Sequence, residues 1–475
     1  MSYEIHTSVE QPINKHFILM ERHLYNPDVV SCGQQDIVVF VENGYGRVYW
    51  SEEDIARLHQ QSAKLLETKN ACALLRQCKD VEKEYWKVAN SVLKELANIP
   101  KRYRLAQLYD KYIEAFRNVL ALYPASGPKA TYAVEKRLLF LLKERFGDKT
   151  QEYLEILTRE PKNYLLLDEL KDWLALLNDN DEKKLIEHMK KYSIILPNIF
   201  SETEALAWAH ERKRQKSSRD VALSIKELEK SRKKSVDIQK NIFKQCSCEI
   251  RFISIFIQEL GGLRLLLKRC WNGEAYHMLP LYESIARITR CRTKDLCMFY
   301  TWRDIHTLLH NDIPLPNSVL DGRKRSYLMH FYRDSTHIYH GKKALKKKNE
   351  LLMPYMPNND AIIKGTPASS GKTKGIAIVV KTDNPLEFQK IAMMLPDDAI
   401  LVTGMTNPAM TIIMDKVKGI ITDEGGIVCH AAIISRELRI PCIVGTKIAT
   451  SVLKSGEKII LDADNGTVTR HNEKF

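Results

Sequence analysis

Nowhere among the 475 residues do about 18 apolar side chains run together, the length a bilayer-spanning helix needs. The opening Met1-Ser2-Tyr3-Glu4-Ile5-His6 also lacks a basic stretch followed by an apolar one. These absences predict a chain without a membrane span or secretory leader, working in the cytoplasm. The ten cysteines form no CxxC pair: Cys246 and Cys248 are two apart, Cys291 and Cys297 six apart. That excludes a disulfide framework and a metal knuckle, and predicts reduced, largely buried thiols. Residues 1–360 hold no glycine-rich phosphate loop, so a self-sufficient nucleotide-dependent kinase is not expected. A sustained heptad and internal repeats are missing as well.

What is present is ordinary for a globular protein: 44% hydrophobic and 28% charged residues, with length for about two to four domains. The net charge of +14 gathers in Glu211-Arg212-Lys213-Arg214-Gln215-Lys216, Arg232-Lys233-Lys234 and the lysines between 342 and 348. No aromatic-interleaved motif accompanies it, so it reads as solvated helix faces and a linker rather than a nucleic-acid surface.

Residues 1–50 read as a small mixed segment. Gln35–Glu42 is a β-branched run, Asn43-Gly44 a turn signal, and Gly46–Trp50 a returning strand. Ser51 then starts a helix, with Asp54 in a capping-box-like position. From 51 to about 340 the pattern is helical almost throughout, as in Tyr85, Val88, Val92 and Leu96, with prolines at 100, 124, 128, 161 and 197 near helix ends. One extended basic helix is expected over 217–258, ended by Gly261-Gly262. Residues 341–360, basic and then rich in proline and asparagine, read as a linker. Beyond it, short β-type runs at 376–380, 399–402, 419–422, 442–444 and 458–461 alternate with glycine turns, which makes 361–475 a compact α/β domain. The fold class is therefore multidomain: a mostly α-helical N-terminal region followed by an α/β domain.

The chemistry concentrates in Thr422-Asp423-Glu424-Gly425-Gly426-Ile427-Val428-Cys429-His430-Ala431-Ala432-Ile433-Ile434-Ser435-Arg436-Glu437. A buried strand ends in an acidic turn, two glycines permit a tight bend, and His430 opens an amphipathic helix. The unpaired N–H groups and positive dipole end of a helix start favour an anion. A histidine there is placed to carry a phosphoryl group on its ring. Gly425 and Gly426 bring backbone donors close, and Thr406 and Thr422 are hydroxyl candidates that equally suit a turn. Arg436 is a fork-shaped donor for a phosphate, or a partner for Glu437 or a neighbouring loop. Cys429 reads as a small buried residue, not a nucleophile.

These residues and four flanking stretches resemble the phosphohistidine swivelling domain of the phosphoenolpyruvate-utilising enzymes. The group includes phosphoenolpyruvate synthase, pyruvate phosphate dikinase and the rifampicin phosphotransferases. The flanking stretches are Gly365–Gly371 with Gly375, Ile400–Pro408, Ile440–Gly445 and Asp462–Gly466. The resemblance implies a β/β/α swivelling domain in which His430 is phosphorylated and travels between two distant sites. One departure is Cys429, where the family usually has Ser or Thr; a thiol is the weaker hydrogen bonder. The resemblance also implies ATP and Mg2+ held by a separate ATP-grasp-type subunit, no cofactor on this chain, and a dikinase-type reaction. The acceptor that the resemblance implies is pyruvate (giving phosphoenolpyruvate) or a small hydroxylated molecule.

In the helical part, Arg264, Lys268, Arg269 and His277 are candidates for binding that acceptor or a partner. His306 and His310 have metal-compatible spacing, but the sequence offers no third ligand, so no metal is expected. The alternative to a phosphocarrier enzyme is a non-catalytic adaptor that keeps the swivelling fold and binds a protein or nucleic acid.

Overall fold

The computed structural model describes residues 3–9, 13, 36–42, 45–97, 101–127, 129–159, 165–196, 199–215, 217–333, 335–352, 362–381, 385–406, 410–426 and 429–471. The chain divides into two compact units. One is Ile13–Gly33 with Arg57–Leu315; the other is Met1–Pro12, Gln34–Ala56 and Pro316–Phe475.

The first unit is helical. Thr68–Leu96 buries Ala71, Leu74, Cys78, Tyr85, Val88, Ala89, Val92 and Leu96 at three- and four-residue spacing, the stripe of a helix packed on one side. Arg102–Leu122 buries most of its circumference, including Leu105, Tyr109, Tyr112 and Phe116, and leaves Arg104, Gln107, Lys111 and Glu114 as an exposed stripe. The expected single helix over 217–258 is two: Ser218–Phe243 and Cys248–Trp271. Ser217 caps the first in a capping box with Asp220, and the Ser247 hydroxyl accepts the Ile250 N–H to start the second. Gly261-Gly262 lies inside the second helix instead of ending it. Glycine there costs about 1 kcal/mol, less than is gained by burying Leu260, Leu263 and Leu267 on a continuous helix. Pro100, Pro128, Pro161 and Pro197 lie outside the described residues.

The second unit holds two sheets. The smaller has five antiparallel strands in the order β1-β3-β2-β4-β5: Tyr3–Val9 (β1), Asp36–Glu42 (β2), Tyr45–Ser51 (β3), Ser326–Tyr332 (β4) and Ser335–His340 (β5). β2 and β3 pair from Ile37↔Trp50 to Glu42↔Tyr45, as the hairpin signal predicts; Asn43-Gly44 is outside the described residues. Two expectations are corrected here. Residues 1–50 are no separate segment, and the helical pattern does not extend to 340. Ile37 through Val41 are buried, so β2 needs a strand on each side, and β4, with Leu328, Met329 and Phe331 buried, supplies the second. The Ser51 hydroxyl accepts the Asp54 N–H at 3.2 Å, while the Asp54 carboxylate reaches β2 and accepts the Asp36 N–H at 2.9 Å.

Half of the expected linker is ordered helix, Lys342–Leu352. Ala344 and Leu352 pack on Val38, Phe40 and Leu328, and the Lys348 ammonium lies 4.4 Å from the Phe40 ring centre. Lysine stems cover apolar surface while their heads stay in water, which reconciles this basic run with a packed helix. Residues 353–360 are outside the described residues.

The larger sheet has eight strands in the order β6-β13-β12-β8-β9-β10-β11-β7. They are Ile363–Lys364 (β6), Thr366–Ser369 (β7), Lys372–Val380 (β8), Ala399–Thr403 (β9), Gly419–Thr422 (β10), Cys442–Val444 (β11), Lys458–Asp462 (β12) and Thr467–Arg470 (β13). β8 to β11 run parallel. Their side chains alternate between two cores. Leu401, Ile420, Cys442 and Val444 face the helix His430–Leu438; Ile400, Val402, Ile421 and Ile443 face the other way. Both faces are covered, so these strands read as unbroken apolar runs. Gly375 in β8 has no room for a side chain, since a Cβ would come within 1.9 Å of the Asp398 carbonyl oxygen.

Candidate functional site

β9 and β10 end side by side, Thr403 opposite Thr422, and the chains leaving them stay zipped together. The Asp423 N–H donates to the Thr403 carbonyl at 3.1 Å, and the Glu424 N–H to the Gly404 carbonyl at 3.0 Å. The carboxyl ends of parallel strands are where open α/β sheets bind ligands. This pairing carries Thr406 to His430: Thr406 Oγ1 lies 2.9 Å from His430 Nδ1.

Gly425 makes the turn with φ +106°, and a Cβ there would come within 2.6 Å of Cys429 Sγ. Gly426 has no such constraint; a Cβ on it meets nothing, and its carbonyl accepts the Cys429 N–H at 3.0 Å. The expectation that both glycines are needed for the bend is therefore narrowed to Gly425. Cys429 is the N-cap, extended at φ −75° and ψ 167°, and its side chain makes no capping hydrogen bond. Burial pushes the thiol up, only partly opposed by the backbone N–H groups of Ala432 and Ala431, so it is neutral at physiological pH. His430 is the first helical residue, half-buried, with Ala431 and Ala432 packed on the sheet.

Residues 395–466 match the family model described as PEP-utilising enzyme, mobile domain. Over those residues the C-terminal α/β domain is similar to the mobile domain of the PEP-utilising enzymes. A probable phosphoenolpyruvate synthase of Staphylothermus marinus is 36% identical over 165 residues, 35% of this chain and 19% of that protein. The phosphoenolpyruvate synthase of Pyrococcus furiosus is 44% identical over 109 residues, 23% of this chain and 13% of that protein. An uncharacterized phosphotransferase, YvkC, of Bacillus subtilis is 35% identical over 184 residues, 37% of this chain and 21% of that protein. The matches thus span about a fifth or less of these relatives' lengths. Among the described residues, no helix is long and apolar enough to cross a membrane.

Within the mobile domain the structure brings Thr406 to His430, and Gly425 and Gly426 to the adjoining Cys429, but commits Thr422 elsewhere. Its hydroxyl donates to the Glu424 carbonyl at 2.6 Å, the turn-forming role. Arg436 Nε donates to the Ala368 carbonyl at 2.6 Å, tying the helix to β7; the Glu437 side chain is outside what is described. A buried group that sequence reasoning passed over is Asp423. It accepts from Thr446 Oγ1 at 3.0 Å, from the Thr450 N–H at 3.1 Å and from the Thr450 hydroxyl. Burial raises its carboxyl, and the Thr450 bonds, Arg47 and Thr446 offset that only in part. Arg47, from β3, donates to Ser451 Oγ at 2.6 Å and Thr450 Oγ1 at 2.8 Å, joining the small sheet to the mobile domain. Asp423 stands in the acidic turn that the sequence shows, but no local pattern could signal the Arg47–Thr450 contact beside it, across 403 residues.

The helical candidates are mostly occupied in packing. Arg264 Nη1 donates to the Tyr123 carbonyl at 3.1 Å and Ser126 Oγ at 3.2 Å, with its guanidinium over the Tyr123 ring. His277 sits edge-on to Trp86, and burial lowers its pKa to about 4, so it is neutral. The Lys268 carbonyl ends its helix by accepting the Asn272 N–H, and its side chain is half-buried. Arg269 lines a cleft of about 380 Å³ with Asp168, Lys171, Asp172 and Lys191, a mixed-sign lining rather than the basic one expected of an anion site. For His306 and His310 the structure supplies the third group missing from the sequence reading, Asp110.

Proposed function

We propose that this chain is a phosphotransfer component in which His430 carries a phosphoryl group on Nε2. The observation that supports it is the contact between Thr406 and His430 Nδ1 at the helix start. With the Nδ1–H donating to the Thr406 hydroxyl oxygen, the ring lone pair is on Nε2. That nitrogen attacks the β-phosphorus of the donor, the N–P bond forms, and the P–O bond to AMP breaks with its electron pair going to the AMP oxygen. Water then takes the γ-phosphate off as inorganic phosphate, leaving the β-phosphoryl group on Nε2. The transferred charge is met by the helix dipole and backbone N–H groups. The neutral Cys429 thiol adds no repelling charge beside it.

On this reading the donor is ATP with Mg2+ in a separate ATP-grasp-type subunit, by a dikinase-type route in the cytoplasm. The acceptor is pyruvate or a small hydroxylated molecule, whose oxygen takes the phosphoryl group and regenerates the imidazole. Domain travel of the swivelling kind delivers it. The test is labelling of wild type and His430→Ala with β- and γ-labelled ATP, with and without the candidate subunit. Acid-labile, base-stable label from the β position, absent in His430→Ala, is the expected result. No label under any condition would replace this reading with the adaptor.

A further inference from the structure

In the helical unit, Arg102–Leu122 and Trp302–Asn311 pack side by side, and their contact gathers three side chains with no part in the His430 site. His306 and His310 are one turn apart on Trp302–Asn311, their rings stacked with centroids 4.2 Å apart. Asp110, on the facing helix, reaches both. Its Oδ2 is 2.8 Å from His310 Nε2 and its Oδ1 is 3.8 Å from His306 Nε2. One donor atom from each of the three lies within 4.8 Å of the other two.

A plain histidine–carboxylate pair accounts for His310 but not for the rest. Asp110 Oδ1 is buried and makes no hydrogen bond, and 3.8 Å from His306 is too long for one. A shared ion resolves this. Ligands about 2.0–2.1 Å from a tetrahedral centre stand about 3.3 Å apart, a sub-ångström adjustment for both contacts. The side chains of His306, His310 and Asp110 are 43%, 31% and 37% exposed, so an ion can enter from solvent.

We propose that Asp110, His306 and His310 bind one Zn2+ ion. Two imidazoles and one carboxylate suit a borderline transition metal; Mg2+ and Ca2+ favour all-oxygen sets. Three protein ligands leave a fourth position for water, and the ion pins together helices from distant parts of the chain.

The test uses the full chain, stripped with chelator and then equilibrated with ZnCl2 by dialysis with metal analysis. Wild type takes up one tight equivalent. His306→Gln, His310→Gln and Asp110→Asn each weaken it tenfold or more, with circular dichroism unchanged. Zn2+ raises the melting temperature of wild type and not of the variants. Because the chain has ten cysteines, Co2+ serves as a second probe: a spectrum without thiolate charge-transfer bands supports the site. Failure of wild type to take up a stoichiometric ion, equal uptake by the three variants, or a thiolate-type Co2+ spectrum would each overturn it.

Discussion

Glu169 in the helical unit and Asp423 in the mobile domain are both buried carboxylates, and their surroundings are built on opposite principles. Burial alone would raise Glu169, but hydrogen bonds from His188 and Arg212 outweigh it and hold the carboxyl below the usual range. Arg212 grips it through both nitrogens, and His188 Nε2 lies 3.0 Å away. Asp423 has hydroxyls and a backbone N–H in direct contact, and its carboxyl stays above the usual range. The first is a closed ion pair that fastens helices. The second is a carboxylate with little compensating charge, on the turn that leads to His430. The direction of a buried acid's shift thus follows from whether charged or only neutral donors touch it directly.

The contrast can be broken experimentally. Glu169→Gln leaves Arg212 and His188 without a buried counter-charge and should cost about 3 kcal/mol in denaturant unfolding. Gly425→Ala forces a side chain into positive φ and onto Cys429, for about 2 kcal/mol in the mobile domain, whereas Gly426→Ala should stay within about 0.5 kcal/mol. Thr406→Val removes the partner of Nδ1 and should slow His430 labelling about tenfold with little change in melting. Asp423→Asn keeps an acceptor for the Thr450 N–H and should cost no more than about 1 kcal/mol at neutral pH.

Acid sharpens the comparison through its sign. The Glu169 carboxyl is lowered, so its stabilisation is present above the unfolded value of about 4.3 and is lost as pH falls through the folded one. The Asp423 carboxyl is raised, so its contribution is present below about 3.9 and is lost as pH rises through the folded value. In melts taken from neutral pH to about 3, the wild-type advantage over Glu169→Gln should shrink. The advantage over Asp423→Asn should grow.

The mobile domain was legible because its strands are short apolar runs between glycines, and 376–380, 399–402, 419–422, 442–444 and 458–461 each fall on a strand. β7 escaped notice because Pro367 lies in it, at a sheet edge where proline is tolerated. β4 was read as helix because Tyr327, Leu328 and Met329 are all buried and show no alternation. The site was legible as far as local chain carries it, from Thr422 to Arg436. Thr406 entered only as a candidate, and what joins it to His430 is strand pairing. Arg47 and Asp110 act across long sequence separations, where a single sequence holds no pattern.

Arg47 has one more implication, for the equilibrium of a domain that travels as proposed. Its two hydrogen bonds to Thr450 and Ser451 are worth about 1 kcal/mol each, together a bias of about thirtyfold. A catch of that strength holds the mobile domain against the small sheet without locking it. As far as Arg47 sets the balance, a domain that travels as proposed would keep about 3% of the molecules in the released arrangement, so departure would need a modest push and no unfolding.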